Sequence, residues 1–398
     1  MVTPDLAGAQ GPPGTSALAG ILQWMNRELR YKQIYLAPDR GWLPTAPQEV
    51  HRLRGGDCKD LAGFLNGAAK GAGLEAYPVL ARVFTGTLDP DEPVNPFAFN
   101  HVVSAIGLEQ TLGLASEVVT PQGRFLLVDP TSRFTPLGQL PFAHRGRKVL
   151  ICTARDGWWV EVPAAATPDP KVEVRLDGDV GTLDAFKGTL VLREWQDALG
   201  LRATVLAGGA KPLKQALYRI LQLAADAQLE VGPVADPLDG KEPYEVSLTF
   251  ENPEGLAALG RQWLLPGIGL PAVQLPIQKL GVPRRSAVTT GNDRIWDFQA
   301  RIRNLGPRAP VWTTRRLETP FRQVEWTAVA KDGVWNLHLV QRTQEITFPF
   351  ERREEGVAQQ RQDRNGLLTF LEEVMSVAVS DSGPSREPEQ LVPGSQPR

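Results

Sequence analysis

The sequence Gly56-Asp-Cys58-Lys-Asp60 opens a stretch with helical spacing, and it contains one of the only two cysteines in the 398-residue chain. Asp57 is of a residue type favoured at helix N-caps, and Asp60 stands three positions later, where the acid of a capping box lies. Apolar residues then recur at the spacing of one helix face, at Leu61, Phe64, Leu65 and Ala68. The pattern predicts a helix that carries Cys58 in its first turn.

A thiol in the first turn of a helix faces unpaired N–H groups and the positive end of the helix dipole. Both features favour thiolate over thiol, so Cys58 lies where a nucleophile would be placed. A second interpretation stays open, because a lone buried cysteine commonly serves as a small hydrophobic residue in a core.

Two strand-like segments downstream, residues 100–107 and 123–129, carry the side chains that could complete a nucleophilic site. If the segments pair antiparallel about a turn near Ala115, His101 lies opposite Asp129. Directly opposed side chains share a face, with Cβ atoms roughly 4.5 to 5.5 Å apart. The carboxylate would then hold one ring nitrogen of His101 while the other nitrogen faces the thiol of Cys58.

Three motifs follow one another in the chain: Gly56-Asp-Cys58-Lys-Asp60, Phe99-Asn-His101-Val and Leu127-Val-Asp129-Pro-Thr131. They resemble the Cys, His and Asp motifs of the bacterial transglutaminase-like family. Upstream, Trp24-Met-Asn-Arg-Glu-Leu-Arg-Tyr31 and Gly41-Trp-Leu-Pro44 resemble the segment that precedes the cysteine helix of that family. The resemblance covers about residues 18 to 155. It implies an α+β fold with a papain-like core and the catalytic triad Cys58, His101 and Asp129.

This triad implies acyl transfer from an amide through a thioester, with no metal and no organic cofactor. Hydrolysis of a protein or peptide substrate is the favoured reaction. Amine transfer to protein glutamine, or glutamine deamidation, is the alternative within the same chemistry, and a non-catalytic binding module that retains the triad is the alternative outside it. A zinc site built from the same three residues has no support from paired CxxC or HExxH spacing.

Two residues upstream of the cysteine, Tyr31 and Gln33, lie where a papain-like core often places an oxyanion-hole or site-lining side chain, although strand packing is the alternative interpretation. The backbone N–H of Cys58 is the more secure oxyanion donor. Cys152 lies in an apolar, strand-like run, which indicates a core residue. The three remaining histidines have no matching partners in the motifs: His51, His144 and His338.

The composition is that of a folded protein, with 42% hydrophobic and 22% charged residues. The 43 basic and 45 acidic residues nearly balance, and no long basic stripe occurs, so nucleic acid is not expected as a partner. No apolar run reaches the ~20 residues that span a bilayer, and no signal-peptide pattern precedes Arg27. These features predict a soluble protein and leave its oligomeric state open.

Larger members of the family carry a secretion signal and a β-rich domain before the core, and this chain shows neither. The resemblance would therefore place the protein in the periplasm or outside the cell if an N-terminal part is missing. Within the chain, residues 1–15 and 381–398 have compositions typical of disorder, because they are rich in Gly and Pro or in Ser, Pro, Glu and Gln.

The segment Pro163-Ala-Ala-Ala-Thr-Pro-Asp-Pro170 is predicted to be a linker that proteases would cut. The catalytic core would then span residues 16–165 and an accessory domain residues 166–380. Strand patterns dominate the second part, so we expect a mostly β accessory domain. Its predicted helices cover residues 211–229 and 367–379.

Overall fold

The structure is a computed structural model, and it describes the following residues: 15–32, 43–83, 95–181, 185–221, 223, 227–252, 257–259, 262–265, 288–290, 294–306, 313–344, 346–348 and 350–374. The two segments predicted to be disordered lie outside these residues, with one exception. Thr15 is buried directly before the first helix.

The first part of the chain begins with three helices and two very short strands: α1 (Ser16–Glu28), β1 (Arg30–Tyr31), α2 (Pro47–Leu53), β2 (Gly55–Gly56) and α3 (Cys58–Gly71). The strands β1 and β2 pair in parallel, with Tyr31 opposite Gly56. Because Gly56 comes shortly before Cys58 in the chain, this pairing places Tyr31 beside the start of α3.

The start of α3 is held by the predicted capping box. The Asp57 side chain accepts a hydrogen bond from the backbone N–H of Asp60 at 3.2 Å, and the Asp60 side chain accepts one from the backbone N–H of Asp57 at 3.3 Å. Asp60 also accepts from the Thr45 N–H at 2.7 Å, and Lys59 pairs with Asp57. Cys58 is therefore the first residue of α3, and these hydrogen bonds hold the backbone at the start of this helix in place.

A six-stranded antiparallel sheet follows. Its strands are β3 (Ala76–Ala81), β4 (His101–Leu108), β5 (Glu117–Thr120), β6 (Gly123–Val128), β7 (Lys148–Cys152) and β8 (Gly157–Glu161). Their spatial order is β5-β6-β4-β3-β7-β8. Short 3₁₀ helices precede β4 at Pro96–Ala98, precede β7 at Phe142–His144 and follow β8 at Ala164–Ala166.

The two faces of this sheet form separate cores, because side chains alternate along each strand. Ile106 and Leu126 pack with apolar residues of α1 and α3 on one face. Val103 and Leu127 face the other way, into a core that contains Leu140, Val162 and Ala166. Helices on one side of an antiparallel sheet make the class α+β, as predicted.

The second part contains an eight-stranded sheet in the order β11-β12-β10-β9-β16-β19-β18-β17, in which only the β9–β16 pair is parallel. Its elements are β9 (Lys171–Val180), β10 (Phe186–Trp195), α4 (Leu201–Gly208), α5 (Ala210–Leu221), β11 (Gln228–Val231), β12 (Tyr244–Asn252), β13 (Ala257–Leu259), β14 (Gln262–Leu264), β15 (Val288–Thr290), β16 (Arg294–Arg303), β17 (Thr314–Thr319), β18 (Arg322–Lys331), β19 (Val334–Thr343), β20 (Ile346–Phe348) and α6 (Arg353–Val374). The mostly β character expected here is present.

Both predicted helices of the second part have different bounds in the structure. The helix expected over residues 211–229 ends at Leu221, because Leu229 is buried in a strand that pairs with β12. The closing helix begins at Arg353, well before residue 367, and residues after 374 lie outside the described part. Its first half is polar, but Asp363 forms a buried ion pair with Arg322 of β18, a tertiary contact that helical periodicity does not reveal.

The predicted linker, residues 163–170, is only partly exposed: Ala164 and Ala165 are exposed, and its other six residues are buried or half-buried. Ala166 and Thr167 are fully buried, and the Ala166 carbonyl accepts a hydrogen bond from the Leu140 N–H at 2.7 Å. Arg145 donates to the Thr167 carbonyl and pairs with Asp169 at 2.5 Å. Small side chains allow this segment to lie against the first sheet, and composition alone could not distinguish that from exposure.

We predict that limited proteolysis of the native protein leaves residues 163–170 uncut, because the burial of Ala166 and Thr167 and the hydrogen bonds of this segment oppose the local opening that a protease needs. Mass spectrometry of the fragments made by a protease of broad specificity gives the cleavage positions. Early cleavage between Pro163 and Pro170 would contradict the packing described above.

We predict that Gly56→Ala lowers the free energy of unfolding by about 1 to 3 kcal/mol, the usual cost of overpacking. A Cβ on Gly56 would overlap Asp60 and lie 2.8 Å from its Oδ2 atom, which would disturb the capping box. Gly63→Ala is the matched control, since a Cβ there makes an ordinary 3.6 Å contact with Pro44. Alanine should stabilise α3 at this position by up to about 1 kcal/mol. Urea unfolding measures the free energy of unfolding of both variants. Equal changes in the two would contradict the overlap predicted between a Cβ on Gly56 and Asp60.

Candidate active site

Cys58 is a free thiol of intermediate exposure at the first position of α3. The first N–H groups of a helix have no partner inside the helix, and the helix dipole adds positive potential there. An anion on Cys58, or on an atom bound to it, is therefore favoured by its position alone.

His101 is the first residue of β4, and the residue before it explains how the ring is placed. The Asn100 side chain donates to the Val83 carbonyl and accepts from the Val83 N–H, both at 2.8 Å. An amide side chain thus extends the pairing of β3 with β4 beyond the end of the ladder, in which Ala81 pairs with His101. This anchors the start of β4 and the His101 backbone.

The register between β4 and β6 differs from the one expected. Ser104 pairs with Val128 and Leu108 with Arg124, so continuing the register would put His101 opposite Thr131 rather than opposite Asp129. The expected simple hairpin is also wrong, because β5 lies between β4 and β6 in sequence and pairs with β6. A shift of two residues keeps a side chain on the same face, so His101 and Asp129 still meet as a diagonal pair.

The structure brings His101 and Asp129 into hydrogen-bonding contact, with 2.9 Å between His101 Nε2 and Asp129 Oδ2. The other carboxylate oxygen, Oδ1, accepts from the Thr131 backbone N–H at 2.9 Å and from the Thr131 hydroxyl at 2.6 Å. The Asp-Pro-Thr turn therefore orients the carboxylate locally. Asp129 is buried, and only 4% of its side chain is exposed.

His144, which the sequence analysis left without a partner, also binds this carboxylate. Its Nε2 lies 3.1 Å from Asp129 Oδ2, its ring centre is 5.5 Å from that of His101, and the residue is 1% exposed. His144 belongs to the 3₁₀ helix before β7, 15 residues after Asp129 and outside the three motifs. The tertiary fold alone makes this contact, so no local pattern could have revealed it.

The electrostatics of His101 are dominated by opposing effects. Burial of the ring disfavours its cation, but the charge of Asp129 and the hydrogen bond to it outweigh burial, and Cys58 adds a smaller hydrogen bond and charge. Together they raise the pKa of His101 to about 10. The contribution of Cys58 indicates that its side chain lies near the His101 ring.

The pKa of Asp129 is shifted the other way. Burial would raise it, but the charge and hydrogen bond of His101, followed by those of His144, hold the pKa of the carboxyl far below its usual range. The carboxylate therefore stabilises the fold above the unfolded pKa of about 3.9, and this contribution is lost as the pH falls through the folded value. Protonated His101 stabilises fully below about pH 6.5, and its contribution is lost as the pH rises through about 10.

Of the two residues predicted to line the site, the structure brings Tyr31 to the cysteine. Burial raises the pKa of its hydroxyl, and the nearby charges of Cys58, Asp57 and Asp129 raise it further. Tyr31 therefore keeps its O–H proton at neutral pH and can donate a hydrogen bond. Tyr31 is 47% exposed, so solvent or a substrate can reach its side chain. Gln33 lies outside the described residues.

The other candidates from the sequence lie apart from this group. Cys152 is a free thiol at the end of β7, and burial raises its pKa. His51 stacks on Trp24 with 5.4 Å between ring centres. His338 lies on the second sheet, where its Nε2 is 2.9 Å from Asp297.

A metal ion could be held, among the described residues, by His101, Asp129 and His144, whose ligand atoms all lie within 4.8 Å of one another. The two Nε2 to Oδ2 distances of 2.9 and 3.1 Å are ordinary hydrogen-bond lengths. Protons therefore account for the arrangement, and the set needs no ion to explain its geometry.

Comparison with known proteins adds little to this description. No protein-family model matches the sequence, and no curated protein matches it. Among solved structures, a Parabacteroides distasonis protein described as a candidate protease aligns over 91% of this chain with a TM-score of 0.44 and 11% identity. This chain spans about half the length of that protein, 52%. Separately, no helix in the described part is long and apolar enough to cross a bilayer.

We predict that His101 titrates near pH 10 and that Asp129→Asn lowers this midpoint by two pH units or more. The substitution removes the charge that overcomes burial, while burial itself remains. Because the chain has four histidines, NMR of protein labelled at histidine can follow each ring separately. His338→Gln, on the second sheet, is the control and should leave the His101 midpoint unchanged. A midpoint near 6.5 in the unmodified protein would contradict the described electrostatics.

Proposed function

We propose that this protein is a thiol-dependent acyltransferase with a papain-like core, related to the bacterial transglutaminase-like family, and that it hydrolyses an amide bond in a protein or peptide. The observation that carries the proposal is one arrangement: Cys58 at a helix N-terminus lies against His101, whose other ring nitrogen is held by buried Asp129. A nucleophile, a base and a group that orients the base are the three parts that this chemistry requires.

The first half of the reaction forms a thioester. The Cys58 thiolate attacks the amide carbonyl carbon, and the electron pair of the C=O bond moves to oxygen. His101, protonated at Nδ1, then gives this proton to the leaving amine as the C–N bond breaks, and the electron pair on the oxyanion re-forms the C=O bond of the thioester. Asp129 keeps Nε2 of His101 as a donor, so the ring presents Nδ1 to the reacting atoms throughout.

The second half releases the acyl group. His101 takes a proton from water, the hydroxide oxygen adds to the thioester carbon, and the Cys58 thiolate leaves with a carboxylic acid as the product. An amine in place of water would give a new amide by the same steps. The described site contains no feature that selects between the two acceptors, and hydrolysis is the proposal because water is present at every site open to solvent.

Two groups could stabilise the oxyanion that forms on the carbonyl oxygen. The backbone N–H of Cys58 belongs to the first turn of α3, where such groups have no partner within the helix. The Tyr31 hydroxyl keeps its proton beside the same residue. Donors directed at developing charge usually account for about 10² to 10³ in rate each.

We predict that Cys58→Ala abolishes turnover, that His101→Ala loses a factor of about 10² to 10⁴ or more, and that Asp129→Asn keeps measurable activity. The first removes the covalent route, the second removes proton transfer, and the third keeps the shape while losing the charge. Incubation with a proteome, scored by mass spectrometry for new termini, Gln-to-Glu conversion or amine adducts, identifies the reaction.

Cys152→Ala is the matched control, since it removes the other thiol of the chain, whose pKa burial raises. Its products should equal those of the unmodified protein. Wild-type turnover in folded Cys58→Ala would exclude covalent catalysis at this residue. A Cys58 thiol that is inert to iodoacetamide at neutral pH, with no products in the proteome experiment, would favour the binding module instead.

A further inference from the structure

The Asp129 carboxylate accepts four hydrogen bonds, as many as its two oxygens can accommodate. Oδ1 accepts two from Thr131, and Oδ2 accepts one each from His101 and His144. An ionised carboxylate only accepts, so both imidazoles must donate from Nε2. Hydrogen bonding therefore determines which nitrogen of each ring carries a proton.

The second nitrogen of His144 makes no hydrogen bond that could hold the ring. Nδ1 of His144 is buried and has no hydrogen-bond partner among the described residues. The ring of His144 is therefore held, within the described part of the chain, by the hydrogen bond from its Nε2 to Asp129 Oδ2.

We propose that His144 is a positioning residue for the active site: its imidazole donates from Nε2 to Asp129 Oδ2 and holds this oxygen in line with the His101 ring. This inference deepens the proposed function and rests on it for its catalytic meaning. Thr131 anchors one carboxylate oxygen, but the other would be held by His101 alone if His144 were absent. His101 would then have to orient Asp129, although Asp129 is the group that orients His101 in the proposed mechanism.

The position of His144 is itself determined by neighbouring segments. The His144 N–H donates to the Pro141 carbonyl at 3.0 Å, and Arg145 lies 4.2 Å over the Phe142 ring. Arg145 in turn binds Thr167 and Asp169. The 3₁₀ helix that carries His144 is thus tied to the packed segment that leads into the second sheet.

The titratable groups around Asp129 come from four segments of the core. His101 of β4 and His144 of the 3₁₀ helix bind the carboxylate, Tyr31 of β1 lies near its charge, and Cys58 of α3 interacts with His101. Of these, only His144 has no contact with the proposed reacting atoms that would give it another role. A change at His144 should therefore reach the nucleophile only through Asp129 and His101.

The decisive experiment follows the four histidine rings by NMR in the unmodified protein, His144→Leu and His144→Gln. Leucine removes the donor, whereas glutamine can place an amide N–H close to the position of Nε2. We expect the His101 midpoint, near pH 10 in the unmodified protein, to fall by one pH unit or more in His144→Leu. At least half of this shift should be recovered in His144→Gln. A purely packing role for His144 would not distinguish the two variants.

A second measurement uses the unmodified protein and does not depend on how well the variants fold. The ¹⁵N shifts of His144 at neutral pH should show a protonated Nε2, the atom that donates to Asp129. A bare Nε2 on His144 would overturn the proposal, and so would an unchanged His101 midpoint in folded His144→Leu. Neither readout needs a substrate, so failure of the proposed acyl transfer would appear separately, as absent turnover with the titrations as expected.

Discussion

The rest of the site depends on the burial of the Asp129 carboxylate. A charge removed from water is costly unless every lone pair finds a donor, and here Thr131, His101 and His144 supply four. These donors come from a turn, a strand and a 3₁₀ helix. Because the Asp129 carboxylate needs all of these donors, the three segments meet at this residue. The His101 ring then faces Cys58 in one orientation.

The same point connects the site to the second sheet. Arg145, the neighbour of His144, binds the packed segment that continues into β9, and Gln139 accepts a hydrogen bond from Gln196 at 2.8 Å. Arg27 at the end of α1 pairs with Asp236 at 2.7 Å. These contacts join the two parts of the chain, and those of Arg145 connect the segment that carries His144 to the residues before β9.

Local sequence was sufficient for the parts of the site that lie close together in the chain. The capping box, the first-turn position of Cys58 and the strands that carry His101 and Asp129 follow from caps and side-chain periodicity, which act over a few residues. The register predicted between the two strands was wrong by two residues. The prediction that His101 and Asp129 share a face still holds, because side-chain direction repeats every second residue. The α+β class was expected from the family resemblance, and the helices and sheets of the structure confirm it.

Tertiary structure alone decided what depends on distant partners. His144 reaches Asp129 from a 3₁₀ helix 15 residues further along the chain, and Ala166 and Thr167 are buried because the fold supplies a surface that covers them. A helix pattern after Leu221 gave way to a strand because an edge of the second sheet was free to pair. Sequence alone thus predicted the cysteine helix and three residues of the candidate site. The fourth residue and its support required the fold, because desolvation and hydrogen-bond satisfaction exist only once the chain is packed.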